Sequence, residues 1–306
     1  MLRRAARRTG ANVAWADEND SAEDRGPTGA PDEVPAGLAP ARPLSSEREP
    51  DRFELKYWIP EHLTHKIVDY LRPYLILEPY AAKLGLVEQI NTSLYLETQG
   101  LDAYRTHTDQ AADRYKLRVR AYGNPPRGIT FFEVKRKVNT RCVKTRAAVP
   151  MEHMKALIEG TYRSLPPGLA ADDRRHLEMF LGAREVTQAR PFLLVRASRE
   201  SYCSADPLED IRLTLDRQVC FQRARGADFA CDPDAWTPLD GEEQHGLQGP
   251  HAMVELKFPG IAPFWMNRLV ARLEMQRVAY SKYISGVNHL LEQDARNVSD
   301  WDASGT

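Results

Sequence analysis

Charged residues occupy every second position in several short segments of the chain. In RFELKYWI, Arg52, Glu54 and Lys56 alternate with aromatic and aliphatic residues. Successive side chains of a β-strand point to opposite faces, so residues two apart share a face. The segment therefore predicts a strand with one ionic and one apolar face. Arg and Lys on such a face could bind phosphate oxygens, while the carboxylates could bind a hard divalent metal ion.

Five further segments repeat this alternation. Most alternating strands are half-exposed, with the polar face in water, and that interpretation suits any one of these segments. Six repeats of E-x-K and R-x-R types favour charged faces that point inward, because an ordinary solvent face would mix Ser, Thr and Gln with scattered charges. The shared faces hold Lys116, Arg118 and Arg120 in RYKLRVRAY, Glu133, Lys135 and Lys137 in FFEVKRK, Lys144 and Arg146 in RCVKTR, Arg212, Thr214 and Asp216 in IRLTLD, and Glu255 and Lys257 in MVELKF.

We therefore expect an α+β fold in which about eight antiparallel strands close into a β-barrel with helices packed on its outside. The lumen of such a barrel has room for one linear ligand. Unpaired buried cations are costly, so the natural occupant of this lumen is a polyanion. The sequence contains no G-x-x-x-x-G-K-[ST] loop, which excludes P-loop chemistry, and its histidines have no spacing that suggests a catalytic triad.

Composition limits the other possibilities. The formal net charge is −1, which gives no reason to expect binding to nucleic acid or to a membrane surface. The four cysteines lack metal-ligand spacing and indicate free thiols in a reducing compartment, and no apolar run is long enough to span a bilayer. We expect a cytoplasmic protein with no membrane segment of its own.

The chain divides into three parts. Residues 1–50 lack hydrophobic periodicity and predict a disordered segment; residues 51–293 form one domain; residues 294–306 predict a flexible tail. Within the domain we predict strands over residues 52–59, 89–97, 114–122, 129–137, 141–149, 192–201, 211–221 and 251–258, and helices from residue 60 and over residues 151–162, 172–189 and 263–291, the last with a break near residues 279–281.

These strands resemble the triphosphate tunnel metalloenzyme superfamily, and within it the polyphosphate polymerase domain of the vacuolar transporter chaperone (VTC) family. The resemblance runs over about residues 51–292 in the correct order. It rests on RFELKYWI, YKLRVRAYG, FFEVKRK, CVKTR, IRLTLDR, VELKF and AYSKY.

The resemblance implies roles for individual residues. The catalytic basic positions fall on Lys56, Arg118, Arg120, Lys135, Lys144 and Lys257. Substrate-binding positions fall on Arg199, Arg212, Ser281, Lys282 and Lys137. Glu255 fits the main ligand of Mn²⁺ or Mg²⁺, while Glu54 and Glu133 would be further ligands or partners that hold lysines in place.

The function implied is metal-dependent transfer of the γ-phosphoryl group of ATP onto a growing polyphosphate chain. Phosphoryl transfer depends mainly on positioning and charge stabilisation, so no protein nucleophile is required. Two alternatives stay open: a triphosphatase that uses water as acceptor, and a non-catalytic polyphosphate sensor. A purely structural interaction domain is a further possibility, and export of a polymer would require a separate membrane protein.

Overall fold

The computed structural model describes residues 52–139, 141–206, 208–241 and 248–304. The predicted disordered segment, residues 1–50, lies outside them. The described strands are β1 (Arg52–Pro60), β2 (Leu75–Leu77), β3 (Glu88–Glu97), β4 (Asp113–Tyr122), β5 (Ile129–Val138), β6 (Arg141–Pro150), β7 (Arg190–Ser204), β8 (Arg212–Arg223), β9 (Thr237–Pro238), β10 (His251–Pro259) and β11 (Gln276–Arg277). The helices are α1 (Thr64–Leu71), α2 (Pro79–Lys83), α3 (Asp102–Thr108), α4 (Met154–Glu159), α5 (Ala171–Thr187), α6 (Phe264–Arg272) and α7 (Lys282–Ser304).

All of these strands belong to one antiparallel sheet, and the sheet is open. Its strand order is β11-β1-β10-β8-β7-β3-β4-β5-β6, with β2 paired to β7 and β9 paired to β8. The predicted closed barrel of about eight strands is therefore wrong. The reason lies at the edge of β1, where β11 pairs with Tyr57 and Trp58 and the Val278 amide donates to the Lys56 carbonyl at 2.8 Å. These contacts use the backbone groups that β6 would have needed to close the sheet.

The long strands lie close to their predicted positions. The NPPRG segment forms the turn between β4 and β5, as expected. The predicted break in the helical stretch over residues 263–291 is present, but it is longer than residues 279–281: α6 ends at Arg272, α7 begins at Lys282, and the short strand β11 lies between them. The short strands β2, β9 and β11 were not predicted, because two or three residues show no period, and α2 and α3 were also missed.

Helices cover the apolar face of the sheet in two clusters. Leu213, Val254 and Leu256 pack under α1 and α6, where Ile67 and Met266 are fully buried. On the other half of the sheet, apolar residues of β3 to β6 pack under α4 and α5. Its fully buried members include Leu94, Leu117, Val119, Phe132, Leu157, Leu177 and Phe180.

Helix α7 packs against the opposite face of the sheet. Its residues Tyr283, Val287 and Leu290 contact an apolar patch that includes Leu193 and Phe221. A β-bulge makes this contact possible: Gln218 adopts a left-handed φ of 50°, and the register of β7 and β8 shifts between Arg196 and Ser198. The bulge changes the phase of β8, so that Val219 and Phe221 face α7 on the same side as Asp216.

None of the helices in the described part of the chain combines the length and apolar character needed to cross a membrane. Cys142, Cys203, Cys220 and Cys231 are all free thiols. The α7 backbone is helical as far as Ser304, and the flexibility of residues 294–306 remains a prediction.

Candidate functional site

The ionic side chains of β1, β4 to β8 and β10 line the face of the sheet that carries α7, and we call this surface the groove. Burial and Glu255 act to raise the pKa of Glu54 on β1, yet three lysines together lower it, and one of them is Lys135 on β5. Five strands separate β1 from β5 along the sheet. Contacts agree with this influence across the groove: Lys56 of β1 donates to the Tyr280 carbonyl at 3.1 Å and Lys116 of β4 contacts Ser281 at 3.3 Å, so both halves of the sheet reach the segment that precedes α7.

Glu133 contacts three basic side chains on one wall of the groove. Its side chain is 2% exposed, and it forms an ion pair with Arg118 and contacts Lys144 and Arg146 at 3.4 Å each. Burial acts to raise the pKa of Glu133, but the surrounding cations, led by Arg118, hold it well below its usual value. Arg118 also donates to the Tyr95 hydroxyl at 3.3 Å. These contacts fit the expectation that Glu133 holds basic side chains in place.

Glu54 and Glu255 lie on the opposite wall with Lys56 and Lys257. Lys56 Nζ lies 2.8 Å from Glu54 and 3.8 Å from Glu255, and Lys257 pairs closely with Glu255. Glu255 is only 9% exposed; burial acts to raise its pKa, but Lys257, Lys56 and more distant cations lower it well below the usual value. The strands explain the arrangement, because β1 and β10 pair Glu54 with Lys257 and Lys56 with Glu255.

Asp216 links the two walls at the floor of the groove. It accepts hydrogen bonds from Arg199 at 2.5 and 2.7 Å and from Lys282 at 2.5 Å. Its side chain has no exposed surface. Burial disfavours the carboxylate, but Arg199 and Lys282 lower its pKa. Asp216 was part of the alternating pattern but not of the predicted site, because only the tertiary structure brings Lys282 to β8.

Three groove cations lack such a counterion. Arg120 donates to Ser93 Oγ at 3.2 Å, and Lys116 contacts Ser281 Oγ and His107. In the described residues, no carboxylate lies within 4 Å of the charged groups of Arg120, Lys116 or Lys135. Burial and the neighbouring Arg118 lower the pKa of Arg120. An anion would relieve this excess of positive charge.

Three of the predicted binding residues lie at the margins of the groove. Arg212 is 53% exposed and contacts Asp210 at 3.6 Å near the start of β8. Lys137 lies near the turn between β5 and β6, opposite Arg114 and Cys142. Ser281 directly precedes α7 and accepts from the Ile284 amide at 3.4 Å.

The groove offers a small set of oxygen ligands for a divalent metal. The described residues contain no group of three His, Cys, Asp or Glu side chains that could hold a metal without other ligands. Glu54 and Glu255 are close enough for each to influence the other, and Thr214, paired with Glu255 in the sheet, has a buried Oγ1 without a protein hydrogen-bond partner. Mg²⁺ commonly takes one or two carboxylates and completes its shell with substrate phosphates and water. The residues present fit that kind of site.

The sequence pattern pointed to most of this constellation. Lys56, Arg118, Arg120, Lys135, Lys144, Arg199, Lys257, Lys282 and the three predicted glutamates all face the groove, but Glu133 and Glu255 lie on different walls. The alternating pattern placed Lys116, Arg146 and Asp216 on the charged faces, but none of the three was assigned a role at the predicted site. It also left His107 without a role, and nothing in the local sequence marks its approach to Lys116.

Comparison with known proteins places this groove in a family. A comparison with curated proteins gave no match. Among solved structures, a crystal structure described as a "putative adenylate cyclase" from Bacillus halodurans matches with a TM-score of 0.39 and 13% identity, over 74% of this chain and 92% of that one. The sequence profile described as "VTC domain" matches residues 51–291. This match spans most of the chain, and the chain therefore belongs to the VTC domain family.

Proposed function

We propose that the groove binds the triphosphate of ATP and transfers its γ-phosphoryl group to the end of a polyphosphate chain, with release of ADP. Membership of the VTC domain family supports a phosphoryl function of the triphosphate-tunnel type, and the polymerase activity is our finer proposal. The observation that carries it is the charge balance of the groove. Among the described residues, the ionic cluster of the groove has four carboxylates, Glu54, Glu133, Asp216 and Glu255, and ten cations: Lys56, Lys116, Arg118, Arg120, Lys135, Lys144, Arg146, Arg199, Lys257 and Lys282.

The basic residues would act mainly by positioning. Arg118 is held by Glu133, and Arg199 by Asp216, so that the guanidinium groups are ordered before substrate arrives. An ordered Arg side chain can donate two parallel hydrogen bonds to phosphate oxygens, and it stabilises negative charge that develops during transfer. Lys56, Arg120, Lys135, Lys144 and Lys257 would complete the contacts around the reacting phosphate. Arg212, Lys137, Ser281 and Lys282 would bind more distant parts of the chain.

A metal ion is part of the proposal. Proteins of this family generally depend on a metal. Glu255 and Glu54 would hold Mn²⁺ or Mg²⁺, which would supply positive charge to offset the negative charge of the phosphates. Both carboxylates contact lysines, Glu54 with Lys56 and Glu255 with Lys257, so these lysines would lie beside the phosphates as well as the metal.

The acceptor distinguishes polymerase from triphosphatase. Activation of water calls for a general base whose pKa lies near the working pH. The pKa values of Glu54, Glu133, Asp216 and Glu255 are all lowered, which makes these carboxylates weak bases. A terminal phosphate is already anionic, so growth of a chain would not require any of these carboxylates as a base. We further propose that the protein works in a reducing compartment such as the cytoplasm, because the described cysteines are free thiols.

The test is to incubate the purified full-length chain with ATP and Mn²⁺ or Mg²⁺ and to separate the products by length. We expect ADP together with polyphosphate that lengthens with time. If inorganic phosphate were the only product besides ADP, the activity would be that of a triphosphatase and not of a polymerase. Binding of tripolyphosphate without any turnover would indicate a sensor, and absence of binding would refute the proposal.

A further inference from the structure

Lys116 lies on the groove side of β4, and the described groups in contact with it are neutral. Its Nζ atom is 3.4 Å from His107 Nε2, 3.3 Å from Ser281 Oγ, and 5.0 Å from the centre of the Tyr283 ring. Burial lowers the pKa of His107 to about 4, with help from nearby cations, so its ring is neutral near pH 7. Burial raises the pKa of Tyr283, which also stays neutral.

The charged groups that act most strongly on Lys116 are all positive, while the Glu97 carboxylate of β3 accepts a hydrogen bond from the hydroxyl of Tyr283, whose ring Lys116 faces. Lys135 comes from β5, Lys56 from β1, and Arg114 and Arg118 from β4 itself. No carboxylate in the described residues lies within ion-pair distance of it. Burial, followed by these four cations, lowers the pKa of Lys116 to about 7. The ammonium group is therefore kept in a place that disfavours its charge.

The start of α7 adds to this positive field. The helix begins at Lys282, directly after Ser281, so its N-terminal end lies beside the Lys116 ammonium group. The N-terminal end of a long helix carries a partial positive charge and stabilises anions. Three independent features thus favour an anion at one place: Lys116 without a counterion, Lys135 across the strand pair, and the end of α7.

We propose that Lys116, with Lys135 and Ser281, forms a phosphate subsite at this end of the groove and takes up one proton from solvent when the phosphate binds. The inference rests on the proposed function, because the phosphate belongs to the same bound chain. An anion beside Lys116 offsets the repulsion from its neighbours and stabilises the ammonium form. His107, as a neutral acceptor, directs one N–H of Lys116 and leaves the others for phosphate oxygens.

The sign of the pH dependence follows from this coupling. Below about pH 7 Lys116 is already charged in the free protein, and its contribution to binding is complete. Above that pH the free protein loses the proton and must recover it on binding, so affinity falls as pH rises, by up to about tenfold per pH unit. Lys144 titrates nearby: Glu133 favours its charged form, but burial and neighbouring arginines lower its pKa to about 8.

The experiment is calorimetric titration of the full chain with inorganic tripolyphosphate, without metal, at about pH 8 in two buffers of different ionisation enthalpy. The difference in heat between buffers gives the number of protons taken up. Lys116→Arg keeps the charge at every pH of the experiment, so it should bind at least as tightly as the parent chain at pH 8 and take up fewer protons. Lys116→Met should weaken binding by about tenfold or more. Lys155→Met, on the exposed surface of α4, is the matched control and should change neither quantity.

The comparison between the parent chain and Lys116→Arg isolates Lys116, because Lys144 and the ligand contribute equally to both. Equal proton uptake by these two proteins would overturn the proposal, as would unchanged affinity in Lys116→Met. Either result leaves the groove as a triphosphate site and the proposed function standing. If the parent chain does not bind tripolyphosphate at all, both proposals fail. Thermal unfolding of each variant checks its fold, and Lys116→Arg decides the matter if Lys116→Met does not fold.

Discussion

Asp216 is the residue on which the floor of the groove depends. It neutralises Arg199 and Lys282 while fully buried, so removing its charge leaves two buried cations without a counterion. We predict that Asp216→Asn lowers the free energy of unfolding at pH 7 by about 3–5 kcal/mol. Urea denaturation measures this change. Asp69→Asn, at an exposed pair with Arg72, should cost less than about 1 kcal/mol.

The same substitution has a signature in pH. The pKa of Asp216 is lower in the folded protein than in the unfolded chain. Its stabilising contribution is therefore fully present above the unfolded pKa of about 4 and is lost as pH falls below that value. The difference in stability between the parent chain and Asp216→Asn should shrink as the pH is lowered from about 5 into the acid range. A difference that is constant with pH would show that Asp216 acts by packing rather than by charge.

Glu255 tests the metal part of the proposal. Glu255→Gln removes the charge of the more buried of the two candidate metal ligands and leaves Lys56 and Lys257 with less negative charge beside them. We predict loss of metal-dependent ATP turnover together with tighter binding of tripolyphosphate in the absence of metal. Product analysis and calorimetry measure the two effects. Glu159→Gln on α4 is the control, and full turnover by Glu255→Gln would contradict the assignment.

At the scale of elements, α7 positions Lys282 through a close approach to β7. A Cβ atom placed on Gly286 would lie 2.9 Å from Leu193 Cδ2, and Leu193 is completely buried. We predict that Gly286→Leu displaces α7, weakens tripolyphosphate binding and lowers the melting temperature. Gly182 of α5 has open space around the corresponding position, so Gly182→Leu should leave binding unchanged. Equal effects of the two substitutions would contradict a role for α7 in the groove.

The elements also show which parts of the fold can be predicted from sequence. The period of two located the long strands, because ionic and hydrophobic residues that alternate along a whole segment match the period of a strand and not the 3.6-residue period of a helix. It could not locate the bulge at Gln218, since one extra residue reverses the alternation without any change in composition. Of the predicted site, most strand residues lie in the groove, whereas Arg212 and Lys137 lie only at its margin.

At the scale of the whole molecule, the open sheet could not be predicted from alternating residues. Alternation determines which face a side chain occupies, but closure depends on what pairs with the last strand. Here the edge of β1 pairs with β11 and with Val278, which lie near the opposite end of the domain in sequence. No local pattern carries information about such a contact.

The balance of charge in the groove predicts salt-dependent binding. The groove cations are only partly shielded from water, as Lys144 at 37% exposure shows, so dissolved ions screen them. We predict that the dissociation constant for tripolyphosphate rises roughly tenfold between about 0.05 M and 0.5 M salt. Calorimetry over this range measures the effect. An affinity independent of salt would contradict an electrostatic mode of binding.

The most direct test is a crystal structure of the full chain with a non-hydrolysable ATP analogue and Mn²⁺. We predict a triphosphate between Arg118, Arg120 and Lys135 on one wall and Lys56 and Lys257 on the other, with the metal at Glu255. A triphosphate bound outside the groove, or a groove that stays empty at saturating analogue, would contradict this prediction.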